Sequence, residues 1–440
     1  MSAPAHDSDL RAVRPGQSRR ALLAGSVGNL IEWYEFGVYG YFATIIAARF
    51  FTPEGGSEIE GLVKTYASFA LAFFFRPVGA ALFGRLGDRV GRRPVLITVV
   101  VVMSAATALI GVLPTYATAG ALAPWLLTLL RVVQGLSAGG EFGGAVSVMT
   151  EFAPPGRRGL YGSWQSFTVA LGLLGGAGVA ALLATVLSEP QLDSWGWRLP
   201  FLLTLPLGLG ALWLRLRLDE TPSFRREQTE REASADGPGA TPGQPPAREV
   251  AGSVALGAAR VMGWAAAGYT FLVVLPSYLQ STLDASFRQA LLATVLANVG
   301  FAATIVPAGL LSDRIGRRPV MLTGALLVTA LSVPLLNLLQ DGGTSNTVKG
   351  LAVLVAGAVV GLMAGPGPAM LAEMFPTSVR YTGLGLAYAL SNAVFSGCAG
   401  LIITETVQRT GSVDIPGYYA AAACAVSALA LATPRTRKGR

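Results

Sequence analysis

Of 440 residues only 13% are charged, two are cysteine, three are lysine and one is histidine. Each scarcity excludes something. The single histidine, His6, sits in a polar tail, so histidine metal sites and imidazole acid–base catalysis lack their side chain. None of Lys64, Lys349 and Lys438 stands in a G-x-x-x-x-G-K-[ST] loop, which excludes a pump driven through a P-loop ATP site. Cys398 and Cys424 fall in apolar blocks and read as small packing residues. No cofactor, metal or enzymatic activity is expected. With 52% hydrophobic residues, the chain is too apolar for an ordinary soluble protein of two or three domains.

What the chain has is length in apolar stretches. A bilayer core about 30 Å thick needs roughly 20 apolar residues as helix. Twelve blocks qualify, at about 22–48, 62–83, 95–113, 125–149, 160–187, 199–214, 251–279, 289–311, 319–339, 350–372, 381–407 and 416–433. The predicted fold class is an all-α membrane protein with twelve transmembrane helices in two pseudo-symmetric six-helix bundles. Its predicted layout is an N-tail over 1–21, a first bundle over 22–216, a linker over 217–250, a second bundle over 251–433 and a C-tail over 434–440. The first 20 residues are polar and basic and lead directly into a full-length span, unlike a cleavable signal peptide.

An even number of spans places both termini on one side. On these boundaries the N-tail, the even-to-odd connections, the linker and the C-tail hold 24 of the 33 Lys and Arg residues, and the opposite face holds six. The positive-inside rule then makes both termini cytoplasmic in a multi-pass protein of the cell membrane. The net charge of +8 follows from that topology and needs no nucleic-acid partner.

Residues 84–98 (GRLGDRVGRRPVLIT) and 309–323 (GLLSDRIGRRPVMLT) match at 10 of 15 positions, offset by 225. A second echo links Glu151, Pro154 and Arg158 with Glu373, Pro376 and Arg380, offset by 222. Two echoes at nearly one offset indicate duplication of a six-helix unit. In each loop a glycine (Gly91, Gly316) permits a tight turn and a proline (Pro94, Pro319) suits the first turn of the next helix. Asp88 and Asp313 can accept from a helix N-terminus or an arginine, and the arginines can anchor to phosphates. Gly84, Asp88, Arg89, Gly91 and Arg92, with Asp313, Arg314, Gly316 and Arg317, form a candidate conformational latch. Plain topogenic charge is the alternative, but it would not repeat the glycine and proline positions.

Six charges lie deep inside the predicted spans: Glu32, Glu35, Arg76, Arg131, Glu141 and Arg260, whereas Lys64 and Glu405 are each only the third residue from a span end. An ionised side chain near mid-bilayer costs at least about 2.5–3.5 kcal/mol on insertion scales, so each needs a reason. Glu32 and Glu35 are three residues apart and share a helix face, with Tyr39 one turn further along. Two carboxylates that close repel when both are ionised, which makes a site able to bind a proton near neutral pH. Pairing of either one with Arg76 or Arg131 is the structural alternative. Arg131 and Glu141 lie roughly 15 Å apart along one helix, so each should look to another helix. Glu141 sits on a small-residue face of glycines, with helix one or two as its expected neighbour. Glu32, Glu35 and Glu141 are the carboxylate candidates for proton coupling. Arg76 can hold a substrate carboxylate bidentately or join an internal ion pair. Arg260 is expected to snorkel toward the cytoplasmic face. Tyr34, Tyr39, Gln165, Tyr269, Thr270, Tyr388 and Asn392 are uncharged candidates for a substrate cavity, suited to a small polar or zwitterionic solute.

The repeated Gly-x-x-x-Asp-Arg-x-Gly-Arg-Arg loop resembles the hallmark of the major facilitator superfamily. Within it the chain is similar to the metabolite:proton symporters, the branch of proline/betaine, α-ketoglutarate, citrate and shikimate carriers. The stretches that carry this resemblance are Gly28 to Phe36, Phe75 to Gly79, Arg131 to Glu141, Trp195 to Phe201 and Glu373 to Tyr381. The resemblance implies a buried arginine at Arg131 that tunes a carboxylate's proton affinity and so joins the proton-coupling candidates, with anchoring of one helix to another as the structural alternative. The branch usually has Asp where this chain has Glu35, one methylene longer. Some osmolyte carriers of the branch extend into a C-terminal coiled coil, so their type of osmotic control is not expected here. Residues and resemblance together predict a monomeric secondary active transporter. It would take up a small polar metabolite, an organic acid or a zwitterionic osmolyte such as proline or betaine, by proton symport through alternating access. The alternative is a proton-coupled efflux antiporter of small molecules or drugs.

Overall fold

Backbone in hydrocarbon must satisfy its own hydrogen bonds, and a helix does so within one segment. Every regular element among the described residues is helical. The computed structural model describes residues 15–53, 55–90, 92–151, 153–154, 156–216, 246–375 and 380–433. Side chains are described for these except at 15–25, 84–85, 87–90, 92–93, 147–148, 151, 247 and 380–381.

Helix α1 covers Pro15–Tyr41 and runs on through Ala43–Ile46 and a π-helical turn, Ala47–Phe51. Then come α2 (Glu58–Val90), α3 (Arg92–Val112), α4 (Leu122–Ala138 resuming as Phe142–Glu151), α5 (Arg158–Val186) and α6 (Leu199–Leu202 with Thr204–Leu216). The second set begins with α7, which is Ala247–Tyr269, a π-helical Thr270–Val274 and Leu275–Leu283. It continues with α8 (Phe287–Ile315), α9 (Arg317–Gln340) and α10 (Asn346–Ala364 resuming as Gly367–Met374). It ends with α11 (Arg380–Ser391, π-helical Asn392–Gly397, Ala399–Thr410) and α12 (Ile415–Ala432). Eleven of these, α2 to α12, contain a stretch long and apolar enough to cross a membrane. Helix α1 has the length but not the hydropathy, because Asn29, Glu32, Glu35 and its tyrosines dilute it.

The duplication is visible in backbone contacts. A Cβ on Gly135 would meet the carbonyl of Ala72, and one on Gly139 the carbonyl of Arg76, so α4 lies directly on α2. In the second half Gly357 lies on the carbonyl of Ala297, and Gly361 near that of Phe301. The glycines differ by 222 (357 − 135, 361 − 139) and their partners by 225 (297 − 72, 301 − 76), the offsets of the two sequence echoes. Without side chains at these points the helix axes approach closely enough for backbone-to-backbone packing. Both α4 and α10 also break midway, at Gly139–Glu141 and at Gly365–Pro366.

The halves meet along α5 against α8, α2 against α11 and α1 against α7. Helix α7 is central: 89% of its most apolar window is buried, against 33% in α6 and 39% in α9, which face outward. A cavity is left on the axis between the halves, lined from α1, α5, α7, α8 and α11.

Candidate functional site

The central cavity measures about 30 Å³. Its lining residues, among them Trp33, Trp264, Tyr269, Tyr388, Asn392 and Ser396, are all buried. Toward the face that bears the repeated loops, Phe142 of α4 stacks on Tyr388 of α11, with ring centroids 3.4 Å apart. Further out, the Asp313 carboxylate accepts the backbone N–H groups of Gly159 (2.7 Å) and Leu160 (2.9 Å). These are the first free donors of α5, in the other half, where a negative charge meets the positive end of the helix. Arg317 pairs with Asp313 at 2.6 Å and with Glu373 of α10 at 3.1 Å. Gly316 turns the chain with φ 98°, a conformation L side chains rarely adopt. Arg314 is exposed. In the first half, Gly91 lies outside the described residues, as do the side chains of Asp88, Arg89 and Arg92 and the surroundings of Gly84. Toward the opposite face, Tyr66 of α2 bonds Ser277 of α7 at 2.6 Å, and Thr44 of α1 donates to Gln280 of α7 at 3.2 Å. The halves therefore touch above and below the cavity.

Beside the cavity stands the charged cluster of the first half. Glu32 reaches Arg76 of α2 at 3.4 Å, and the guanidinium carbon of Arg76 lies 4.3 Å from the centre of Phe36 and 4.1 Å from that of Phe73. Such sandwiching holds a cation in place of water. Nε of Arg76 makes no hydrogen bond and Nη2 has only the long contact to Glu32, so donors remain on its guanidinium. Glu35 points elsewhere, toward the hydroxyls of Ser104 and Thr107 on α3. It is fully buried, and neither carboxylate oxygen has a hydrogen bond of ordinary geometry. Arg131, equally buried, lies 4.1 Å over Tyr39 and donates to Gln134 (2.6 Å), which in turn donates to Thr107 (2.6 Å). The two carboxylates that share a face in sequence thus serve different neighbours, α2 for Glu32 and α3 for Glu35.

One expectation is extended and one needs correction. Glu141 does face helix one, against Gly28, and the partner it finds there is Arg215 of α6. Arg215 also donates to the carbonyl of Leu96, tying α3, α4 and α6 together. Arg215 lies one residue past the apolar block 199–214, and that position is its only cue in the sequence. Arg260 does not snorkel. It is 2% exposed and donates to the carbonyls of Ala430 (3.1 Å) and Thr433 (3.2 Å), capping the end of α12.

The uncharged candidates divide. Tyr269, Tyr388 and Asn392 line the cavity. Tyr34 donates instead to the carbonyl of Pro200 (2.9 Å), and Tyr39 bonds Ser68 of α2 (2.6 Å). Gln165 joins Asn29 at 3.4 Å in a clamp between α1 and α5, and Thr270 bonds back to Ala266 in its own helix. Trp33, Trp264, Phe301 and Ser396 complete the polar and aromatic lining without having been singled out from sequence as cavity residues. Nothing in local sequence separates such a ring from one that faces lipid.

Two helical bundles around a closed central cavity, with ionisable side chains buried beside it, are the architecture of a membrane carrier. The sugar (and other) transporter family matches residues 21–249, and the Major Facilitator Superfamily matches residues 256–440. A proline/betaine transporter of Salmonella typhimurium is 35% identical over 422 residues, covering 93% of this chain and 82% of that one. An ectoine/proline transporter of Corynebacterium glutamicum is 35% identical over 435 residues, covering 96% and 85%. Among solved structures, the proton:xylose symporter XylE superimposes with a TM-score of 0.76 over 95% of both chains, at 20% identity, a likeness of fold. The chain belongs to the major facilitator superfamily, in the metabolite:proton symporter branch, and is a multi-pass membrane transporter, not an enzyme.

Proposed function

We propose that this transporter takes up a small zwitterionic osmolyte of the proline or betaine type together with protons, by alternating access. The observation that carries the proton half is Glu35, a fully buried carboxylate that faces the hydroxyls of Ser104 and Thr107 without a hydrogen bond of ordinary geometry, a turn away from the Glu32–Arg76 pair. A charge there without a bonded partner is costly, and a carboxylate in such a place resolves the cost by holding a proton. The zwitterion is favoured over an organic acid by relatives named for proline, betaine and ectoine. The relatives give no support to drug efflux.

In this reading Glu32 and the substrate's carboxylate share Arg76. A proton taken up at Glu35 and passed to Glu32, one turn away, weakens the hold of Glu32 on the guanidinium and leaves the donors for the substrate, so proton and substrate load together. Arg131 and its Gln134–Thr107 chain position the Glu35 surroundings, while the Glu141–Arg215 pair holds the helices that carry them. The face with the repeated loops is cytoplasmic, following the excess of Lys and Arg there, and both termini lie on that side. The bundles 22–216 and 251–433 rock about the cavity, with Asp313 and Arg317 latching the cytoplasmic face and Asp88 the matching position of the first half. One polypeptide suffices for this cycle, so the working unit is a monomer.

Purified protein in liposomes with an inward pH gradient tests the reading against labelled proline, glycine betaine, α-ketoglutarate, citrate and shikimate. Accumulation of proline or glycine betaine that collapses with a protonophore is the expected result. Accumulation of only the di- and tricarboxylates, or outward movement of substrate against an inward proton gradient, would overturn it.

A further inference from the structure

Every charged group near the central cavity stands outside its lining; the wall itself is neutral, with aromatic rings set among aliphatic side chains. Two ring pairs contribute to it. Trp33 and Tyr269 have centroids 6.1 Å apart, and Trp264 and Tyr388 have centroids 5.7 Å apart. The polar groups between them are mostly engaged with each other. Asn392 donates to the carbonyl of Tyr388 (2.9 Å) and accepts from Ser396 (2.8 Å). The Tyr269 hydroxyl is the exception: it is buried against the cavity with no hydrogen-bond partner.

Such a wall has a definite chemical preference. Aromatic faces carry negative potential and attract a cation without needing a hydrogen bond. A primary ammonium brings three N–H donors and a secondary one two, and this lining offers little besides the Tyr269 oxygen to accept them. A quaternary ammonium has no N–H group, so its burial leaves no donor unpaired. Di- and tricarboxylates would place negative charge against the negative ring faces. At about 30 Å³ the cavity admits one or two waters as it stands, so an osmolyte enters only when the ring pairs part. The rings that part are then the ones that close around it.

We propose that Trp33, Trp264, Tyr269 and Tyr388 form a cage for the alkylated ammonium end of the substrate, so that the transporter ranks zwitterions by N-methylation. This inference rests on the reading that a zwitterion passes through the cavity, and it adds which end of it these four rings recognise. The carboxylate end would lie toward Arg76, on the side of Trp33 where the guanidinium carbon is 5.6 Å from the ring centre.

The test is competition by glycine betaine, dimethylglycine, sarcosine and glycine in proteoliposomes, with tryptophan-fluorescence titration of the detergent-solubilised protein alongside. Glycine betaine should compete at least about tenfold better than glycine, with each lost methyl weakening the competitor in turn. Trp264→Leu should flatten that ranking, while Trp264→Phe, which keeps a π face, should preserve it; the wild-type ranking decides the matter should the leucine variant fail to fold. Equal competition by all four compounds, with proton-driven uptake intact, would overturn the cage and leave the proposed function standing. Failure of every zwitterion to accumulate would instead overturn the proposed function. The fluorescence titration then judges the cage alone: tighter binding of the more methylated compounds supports it, and no ranking refutes it.

Discussion

Phe142 of α4 and Tyr388 of α11 lie face to face, their planes 5° apart, and Tyr388 also lines the central cavity. One side chain therefore serves as wall of the cavity and as part of its seal. Phe142 follows directly on the break in α4, so a small change in the angle between the two α4 segments moves the ring off its partner.

Removing that stack should bias the transporter toward opening on the loop-bearing face. An aromatic pair contributes about 0.5–1.5 kcal/mol beyond its area, so Phe142→Ala should shift the population between roughly twofold and tenfold. The check is the labelling rate of a cysteine placed at Ala265, with Cys398 and Cys424 replaced, using an impermeant thiol reagent from that face. Unchanged labelling would show that the stack is not part of the seal.

Asp313 should act in the same direction from further out. Its carboxylate takes two N–H groups of α5, and hydrogen bonds to charged groups contribute about 1.5–3 kcal/mol each. Asp313→Asn should slow net transport well over fivefold while equilibrium substrate binding stays near wild type. Wild-type turnover in the variant would argue against a latch.

The Glu141–Arg215 pair should matter for folding rather than turnover. Breaking a buried pair by removing one partner costs about 3–5 kcal/mol, because the other charge stays buried alone. Glu141→Leu and Arg215→Met should each lower the melting temperature of the detergent-purified protein, and the double variant should lose less than either single one. Additive losses in the double variant would show that the two side chains act independently.

Gly135 and Gly357 occupy matching places against α2 and α8, so alanine at either should be similarly damaging. Overpacking of this kind costs typically about 1–3 kcal/mol. Gly210→Ala, where a Cβ would meet nothing within 4 Å, is the control and should be silent. Folded yield by size-exclusion chromatography reports all three.

The scaffold was legible in the sequence because hydropathy and duplication act over many residues. The same offsets that align the two loops recur in the contacts Gly135–Ala72 and Gly357–Ala297. Single side chains were legible only where their helix determined their surroundings. Glu32 and Glu35 were found because a carboxylate in a span is costly wherever it points, but which helix each would face depends on packing that no local pattern records. Arg215 was missed because one residue separates a loop charge from a buried one. The rings of the cavity come from helices far apart in sequence, and Trp264 there has the same local signature as a tryptophan facing lipid, such as Trp125.

The central claim is that helix α1 couples protons to substrate through Glu35. Proteoliposomes bearing Glu35→Gln separate coupling from passage: substrate counterflow needs no proton movement, whereas accumulation driven by a pH gradient does. The account predicts that the variant keeps counterflow within a few-fold of wild type and loses accumulation. Accumulation at the wild-type level in Glu35→Gln would contradict it.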